Sequence, residues 1–477
     1  MKLDWKMVLP VALGGAVALF PAPSGLPAGV WYYFALFVSV IVALILEPIP
    51  AAAVGLIGVT LGAVLRLVPV SPGEPVSTGQ ALQWALSGFS NSTVWLIFAA
   101  FMFARGYENT GLGRRIGLVL IKALGRRTLG MGYAVAFADL VLAPFTPSNT
   151  ARSGGTIYPI IRNIPELYGS TPDNEPRKMG GYLMWTALAS TCVTSSMFFT
   201  GLAPNLLALT MVQDVAGVNV TWMEWFRGFL PVGAVLFLST PFMVYCIYPP
   251  TQRHSPEAPA WAGAELDALG CVTPRELLMM GLILFALAMW MFGGAIMSGT
   301  TVAMVVLCLM VLTGILSWDD VIGNRKAWNV LVWFATLVTM AGGLARTGFL
   351  KWFADNVAFM LSDMAPLTII MLLVTLFFVS HYLFASITAH VTALLPVFLA
   401  AAVAIPDLPI KPFAMLLCFT LGIMGVITPF ATGPSPIYYG SGYVSRKEFW
   451  VLGLIFGVMY LAVLLVLGVP YVLRMFG

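Results

Sequence analysis

Charge is what this chain has least of. Only 9% of its 477 residues are Asp, Glu, Lys or Arg, while 60% are hydrophobic and the mean hydropathy is +0.92. A soluble domain carries roughly a quarter of its residues as charges, so that class is excluded. Acid clusters are missing inside the apolar stretches, as is a nucleophile with a paired base. Membrane-embedded chemistry on Mg²⁺, as in an isoprenoid-phosphate transferase, would want one or the other, so the chain does not read as an enzyme. Lys and Arg form no stripe interleaved with aromatics, which removes nucleic acid as a partner despite the net charge of +4. Cys192, Cys246, Cys271, Cys308 and Cys418 are scattered without metal-ligand spacing and read as buried thiols. Neither a cofactor nor a metal is expected.

Long apolar runs are present instead, among them Val30–Leu46, Ala53–Val70 and Phe449–Leu473. Runs of this length cross a bilayer as helices. The pattern predicts an all-α polytopic membrane protein with about eleven transmembrane helices. Two further apolar hairpins are too interrupted to cross straight through. The run Met7–Phe20 has the length of a signal segment, yet Pro21, Pro23 and Pro27 follow it in place of a cleavage site; it is read as an uncleaved first helix. Lys2 and Lys6 put the N-terminus in the cytoplasm. Arg114, Arg115, Lys122, Arg126 and Arg127, after the fourth span, fall on the same side. An odd span count then leaves the C-terminus outside.

The chain repeats itself. Ser148-Asn149-Thr150-Ala151-Arg152 has a counterpart 238 residues later, Ser386-Ile387-Thr388-Ala389-His390. Val94-Trp95 matches Val332-Trp333 at the same offset, and Thr200-Gly201-Leu202-Ala203-Pro204 resembles Thr432-Gly433-Pro434-Ser435-Pro436. This divides the chain into an extra N-terminal helix (1–29), a first repeat (30–250), a polar cytoplasmic linker (251–274) and a second repeat (275–477). Each repeat holds an odd number of spans, so the two insert in opposite directions. Inverted repeats place a transport site near mid-membrane, where broken helices meet. Amphipathic stretches at Gly113–Gly125 and Leu350–Leu361 read either as interfacial arms of a fixed frame or as ordinary loop helices.

The breaks carry the chemistry. Over about 131–161, Pro144 and Pro147 stop an incoming helix, Ser148, Asn149 and Thr150 suit a helix N-cap, and Gly154 and Gly155 permit close approach. A re-entrant hairpin with its tip at Ser148–Thr150 follows, with a second over about 367–397 offering Ser386 and Thr388. Non-helical backbone at membrane depth must line a cavity or be buried in protein. Hydroxyls, an amide and helix N-termini there favour a carboxylate. Two such tips suit a ligand with a carboxylate at each end. The polar island Thr428–Val444, with Thr432, Gly433 and Pro434, and the sparser Thr200–Asn205 are expected to complete the site. From Tyr438 on, an exit loop is an equal reading.

Arg152 and His390 occupy equivalent places after the two tips, and a cation within a membrane is expensive. For Arg152 two readings stand: a charge that raises the potential of its tip, or an ion pair with Asp139, the acid nearest in sequence. For His390 they are a site charge or a neutral packing histidine. His381, Glu47, Arg105 and Glu108 read as structural, the last two as an i, i+3 pair.

Ala143-Pro144-Phe145-Thr146-Pro147-Ser148-Asn149-Thr150-Ala151-Arg152-Ser153-Gly154-Gly155-Thr156 resembles the first hairpin signature of the divalent anion:sodium symporter (DASS) family. The stretch Ala431–Val444 resembles its late signature. The likeness is nearest to the branch of bacterial citrate/succinate antiporters and plastid 2-oxoglutarate/malate translocators. It implies a homodimer in the inner membrane, with a scaffold domain and a transport domain that moves as an elevator. It implies substrate contacts from Ser148, Asn149, Thr150, Ser386, Thr388, Thr432, Gly433 and Pro434. In sodium-coupled members two Ser-Asn-Thr tips hold the carboxylates, with sodium behind them. Here Ile387 replaces the second Asn and has no oxygen to give a cation, while Arg152 and His390 supply positive charge. The sequence therefore predicts sodium-independent exchange of di- or tricarboxylates such as succinate, malate, 2-oxoglutarate and citrate. A sodium-coupled dicarboxylate symporter is the rival. Antiport also avoids moving a dianion against about 100 mV, which costs about 4.6 kcal/mol.

Overall fold

The computed structural model describes residues 5–69, 75–361 and 364–477. Lys2 and Val70 fall outside them, and the side chains of 357–361 are likewise not described. Among the described residues all regular structure is helical, apart from one isolated bridge between Arg127 and His254.

Outside the two hairpins, and apart from the helices Leu112–Leu124, Glu257–Leu269, Trp318–Gly323 and Phe349–Leu361, eleven described helices or broken helices stand in order. They are Trp5–Leu19, Ala28–Leu46, Ala51–Val64, Thr78–Ser90 with Ser92–Thr110, and Gly180–Met197 with Ala203–Ala216. Then come Trp222–Ile247, Pro274–Phe292, Gly299–Leu312, Arg325–Arg346, Ile410–Val426 with Ser435–Gly440, and Arg446–Phe476. Seven described helices are long and apolar enough to cross a membrane unaided, counting the incoming arms of both hairpins. The other candidates are short, bent or broken. Breaks have local causes. At the 40° bend after Ser90, Asn91 Oδ1 accepts from Thr93 N at 2.8 Å and starts a new helix. Gly88 lies so close to the Ala335 carbonyl that a Cβ would come within 1.8 Å of its oxygen.

The first amphipathic stretch is the helix Leu112–Leu124, with Leu112, Gly117, Leu118 and Ile121 buried on one side. The second is Phe349–Leu361. The join at 251–274, expected as a linker, holds the helix Glu257–Leu269 packed along Leu112–Leu124. Arg115 Nε donates to Glu276 Oε1 at 2.6 Å, Arg114 pairs with Glu265, and Ala258 N donates to Tyr168 Oη at 3.0 Å. The join is thus a helix clamped to the arm, with Glu265 held by Arg114 and the Gly270 carbonyl accepting from Arg115 Nη1.

Candidate functional site

The first hairpin climbs through Thr128–Leu142 and a 3₁₀ turn at Ala143–Phe145. Between the two prolines, at Thr146, the backbone leaves helical geometry, then resumes as a π-helix over Thr150–Ile157 and a short helix Tyr158–Ile161. A π-helix of eight residues is rare, and such windings gather at functional sites. Ser148 Oγ accepts from Ala151 N at 3.2 Å and so plays the expected capping role. Asn149 does not cap: it is buried, and its Nδ2 donates to Thr432 Oγ1 at 2.8 Å. Thr150 faces Gly433, where an added Cβ would lie 1.8 Å from Thr150 Oγ1. Ser153 Oγ and Tyr438 Oη are 2.8 Å apart, and Gly154 receives the Ile437 side chain. The first tip therefore lies against residues 432–438 of the second half.

The second hairpin runs from Pro366–Ser380 through a turn at His381–Leu383 into Ile387–Val403. Ser386 caps that helix by accepting from Ala389 N at 3.5 Å. Ile387 and Thr388 are buried. The helix packs against Ala203–Ala216, which follows the break of the first half. His381 Nε2 lies 2.9 Å from the Ala431 carbonyl. The two hairpins thus grip neighbouring residues, one Ala431 and the other Thr432. Ser148, Asn149, Thr150, Thr432 and Gly433 come directly together. Ser386 and Thr388 join them only through the hairpin that carries them. Pro434 is buried and opens the helix Ser435–Gly440. Ser148 and Ser386 stay half-buried, Thr150 and Gly433 exposed. A cavity of about 510 Å³ lined by Arg105, Asn324, Arg325 and Lys326 reaches Ala151, beside the first tip.

Arg152 has the ion pair that the sequence left as one of two readings. Its Nε lies 3.1 Å from Asp139 Oδ2, with both side chains shut off from solvent. Nη1 donates to the carbonyls of Thr146 (2.7 Å) and Gly201 (2.8 Å), and Nη2 to Ser195 Oγ (3.0 Å) and Thr191 Oγ1 (3.3 Å). The Thr194 hydroxyl donates to the same Asp139 oxygen. A buried guanidinium persists only when its charge and its N–H groups are satisfied in this way. Arg152 is therefore a bonded cation whose formal charge Asp139 offsets. His390 Nδ1 stands 3.2 Å from His381 Nδ1, and its ring lies between those of Phe377 and Phe384.

His381, read from the sequence as structural, touches the late break through the Ala431 carbonyl. Two histidines on either side of one tip were the available signal. Sequence reasoning missed Thr191, Thr194 and Ser195. Their signal was a run of hydroxyls, Ser190 to Ser196, inside a fully buried helix. Tyr438, at the start of a stretch that also read as an exit loop, is buried. Arg105 and Glu108 pair at 3.1 Å as the spacing suggested, with Asp320 as a second partner at 3.2 Å.

Apolar helices and two interrupted hairpins define a polytopic helical membrane protein. The chain belongs to the family described as "Sodium:sulfate symporter transmembrane region", whose model matches residues 1–476. It is 47% identical over 473 residues to the citrate/succinate antiporter of Escherichia coli (strain K12), covering 98% of this chain and 97% of that protein. It is 46% identical over 471 residues to the L-tartrate/succinate antiporter of Shigella sonnei (strain Ss046), covering 97% of each. Among solved structures it resembles the YdaH transporter of Alcanivorax borkumensis at a TM-score of 0.56 and 15% identity. That match covers 89% of this chain and 97% of the other. It also resembles MtrF of Neisseria gonorrhoeae at 0.56 and 13%, covering 99% and 98%. At those identities the likeness concerns the fold alone.

Proposed function

We propose that this protein exchanges di- or tricarboxylates across the inner membrane, one anion for another and without sodium. The observation that carries the reading is the junction of Ser148, Asn149 and Thr150 with Thr432 and Gly433, where hydroxyls, an amide and close backbone converge. Such a donor-rich junction at a helix start suits carboxylates. The relatives, citrate/succinate and L-tartrate/succinate antiporters, support the same substrate class and the same exchange. Ser386, Thr388 and Pro434 complete the proposed contacts. The proposed architecture is a homodimer of two inverted repeats (30–250 and 275–477), with the N-terminus cytoplasmic and the C-terminus outside. The hairpins and their partner helices ride as an elevator along a fixed scaffold.

Sodium independence is supported by Arg152. A guanidinium tethered to the chain holds the carbonyls of Thr146 and Gly201, oxygens of the kind a free cation would need. A tethered cation cannot be released on either side. Counterflow in proteoliposomes tests the proposal: preloaded succinate should drive uptake of labelled carboxylate in sodium-free buffer. Strict sodium-dependent net uptake would overturn the exchange reading. The family description names sodium, which favours a sodium-coupled symporter as the second reading. A sodium titration of uptake separates the two.

A further inference from the structure

Two buried histidines hold each other inside the second hairpin, and their geometry fixes where their protons are. The Ala431 carbonyl can only accept, so His381 Nε2, 2.9 Å away, carries a hydrogen. A neutral His381 then has a bare Nδ1. It faces His390 Nδ1 at 3.2 Å, which must therefore be the donor. That leaves His390 Nε2 with a lone pair, buried and with no hydrogen-bond partner among the described residues. A buried unsatisfied acceptor is unfavourable and calls for a reason. One further proton fits on Nε2. A second would bring two N–H groups face to face at 3.2 Å.

Among the described residues no charged side chain acts on the two rings. The elements packed on the helix Ile387–Val403 include Ala28–Leu46, Ala203–Ala216, Arg325–Arg346, Phe349–Leu361 and Ile410–Ile423. Their described charged residues are Asp214, Arg325, Lys326, Arg346, Lys351, Asp355 and Lys411. None of these acts on either ring; the ionisable group that acts on His390 is His381. In the first hairpin Arg152 is already offset by Asp139. A doubly negative guest would thus travel with little compensating charge unless the second hairpin gained some.

We infer that the His381–His390 pair binds one proton together with the carboxylate, at His390 Nε2, so that the proton accompanies the anion. This rests on the carboxylate reading above. With three histidines in the chain, His254 serves as an internal control for ¹⁵N-histidine NMR of the full protein in lipid nanodiscs. The substrate-free sample at pH 7.5 should show His381 protonated at Nε2 and His390 at Nδ1. Adding succinate, dianionic at that pH, should convert one of these two rings to the doubly protonated form and leave His254 unchanged. Calorimetry of succinate binding in buffers of different ionisation enthalpy should report about one proton taken up per anion. His390→Gln should reduce that uptake to none, a readout that a packing role would not move. Succinate binding without proton uptake, with both rings staying neutral, overturns the inference and leaves the carboxylate reading standing. Failure of succinate or any other carboxylate in a panel to bind or exchange would overturn both.

Discussion

Asn149 Nδ2 donates to Thr432 Oγ1 at 2.8 Å across 283 residues of sequence, and that bond joins the tip of the first hairpin to the broken helix of the second half. Removing either side chain should loosen the junction. A buried neutral hydrogen bond contributes about 1 kcal/mol, so Asn149→Ala and Thr432→Ala should each raise KM for counterflow roughly fivefold. In a double-mutant cycle the pair should fall well short of additive, because both changes remove one bond.

Gly433 should tolerate no side chain. A Cβ there overlaps Thr150 Oγ1, and overpacking of this kind costs about 1–3 kcal/mol. Gly433→Ala should cut exchange at least tenfold. Combining it with Thr150→Gly, which removes the overlapping atoms, should recover part of the rate above that of Gly433→Ala alone.

Breaking one half of the buried ion pair should be worse than losing both. Arg152→Ala strands Asp139, and stranding a buried charge costs about 3–5 kcal/mol. Arg152→Gln with Asp139→Asn should melt at a higher temperature than Arg152→Ala, as followed by thermal unfolding in detergent. In transport, Arg152→Ala should abolish exchange or make it depend on an added cation. Sodium-free exchange at the wild-type rate in that variant would remove the tethered guanidinium from the mechanism.

Tyr438 steadies the π-helix from outside by sharing a hydrogen bond with Ser153 and lying edge-on to Tyr158. Tyr438→Phe keeps the ring and removes the bond. The expected change is a KM increase of about fivefold with little effect on thermal stability, checked by counterflow and a melt on the same preparation.

Asp320, on the short helix Trp318–Gly323, has its carboxyl held below the usual carboxylate value. The Ser317 amide contributes most, then the Ser317 hydroxyl, with Arg105 adding to them. A depressed value means the stabilisation is present above the ordinary carboxylate range and is lost as pH falls through the lower, folded value. Asp320→Asn should therefore melt below the wild type at pH 6, and the gap should narrow as the pH drops below about 4.

Much of the fold was legible because bilayer helices advertise themselves as apolar runs and the paired pentapeptides announced the two hairpins. The site was legible where the chemistry is local: Pro144, Pro147 and Ser148 act within a few residues of one another. It was not legible where the partner is distant. Nothing near Asn149 points to Thr432, and nothing near His381 points to Ala431. The ion pair of Arg152 with Asp139 could be named from sequence as one option. Choosing it required the carbonyl of Gly201 and the hydroxyls of a helix 40 residues away.

The guanidinium of Arg152 draws on the incoming hairpin helix, the loop at Thr146, the hydroxyl-rich helix Gly180–Met197 and the turn at Gly201. It works as a rivet through four plates. A rivet rules out sliding between the plates, so any stroke that carries cargo must shift this block as a unit, with the slip confined to surfaces where no such fastening exists.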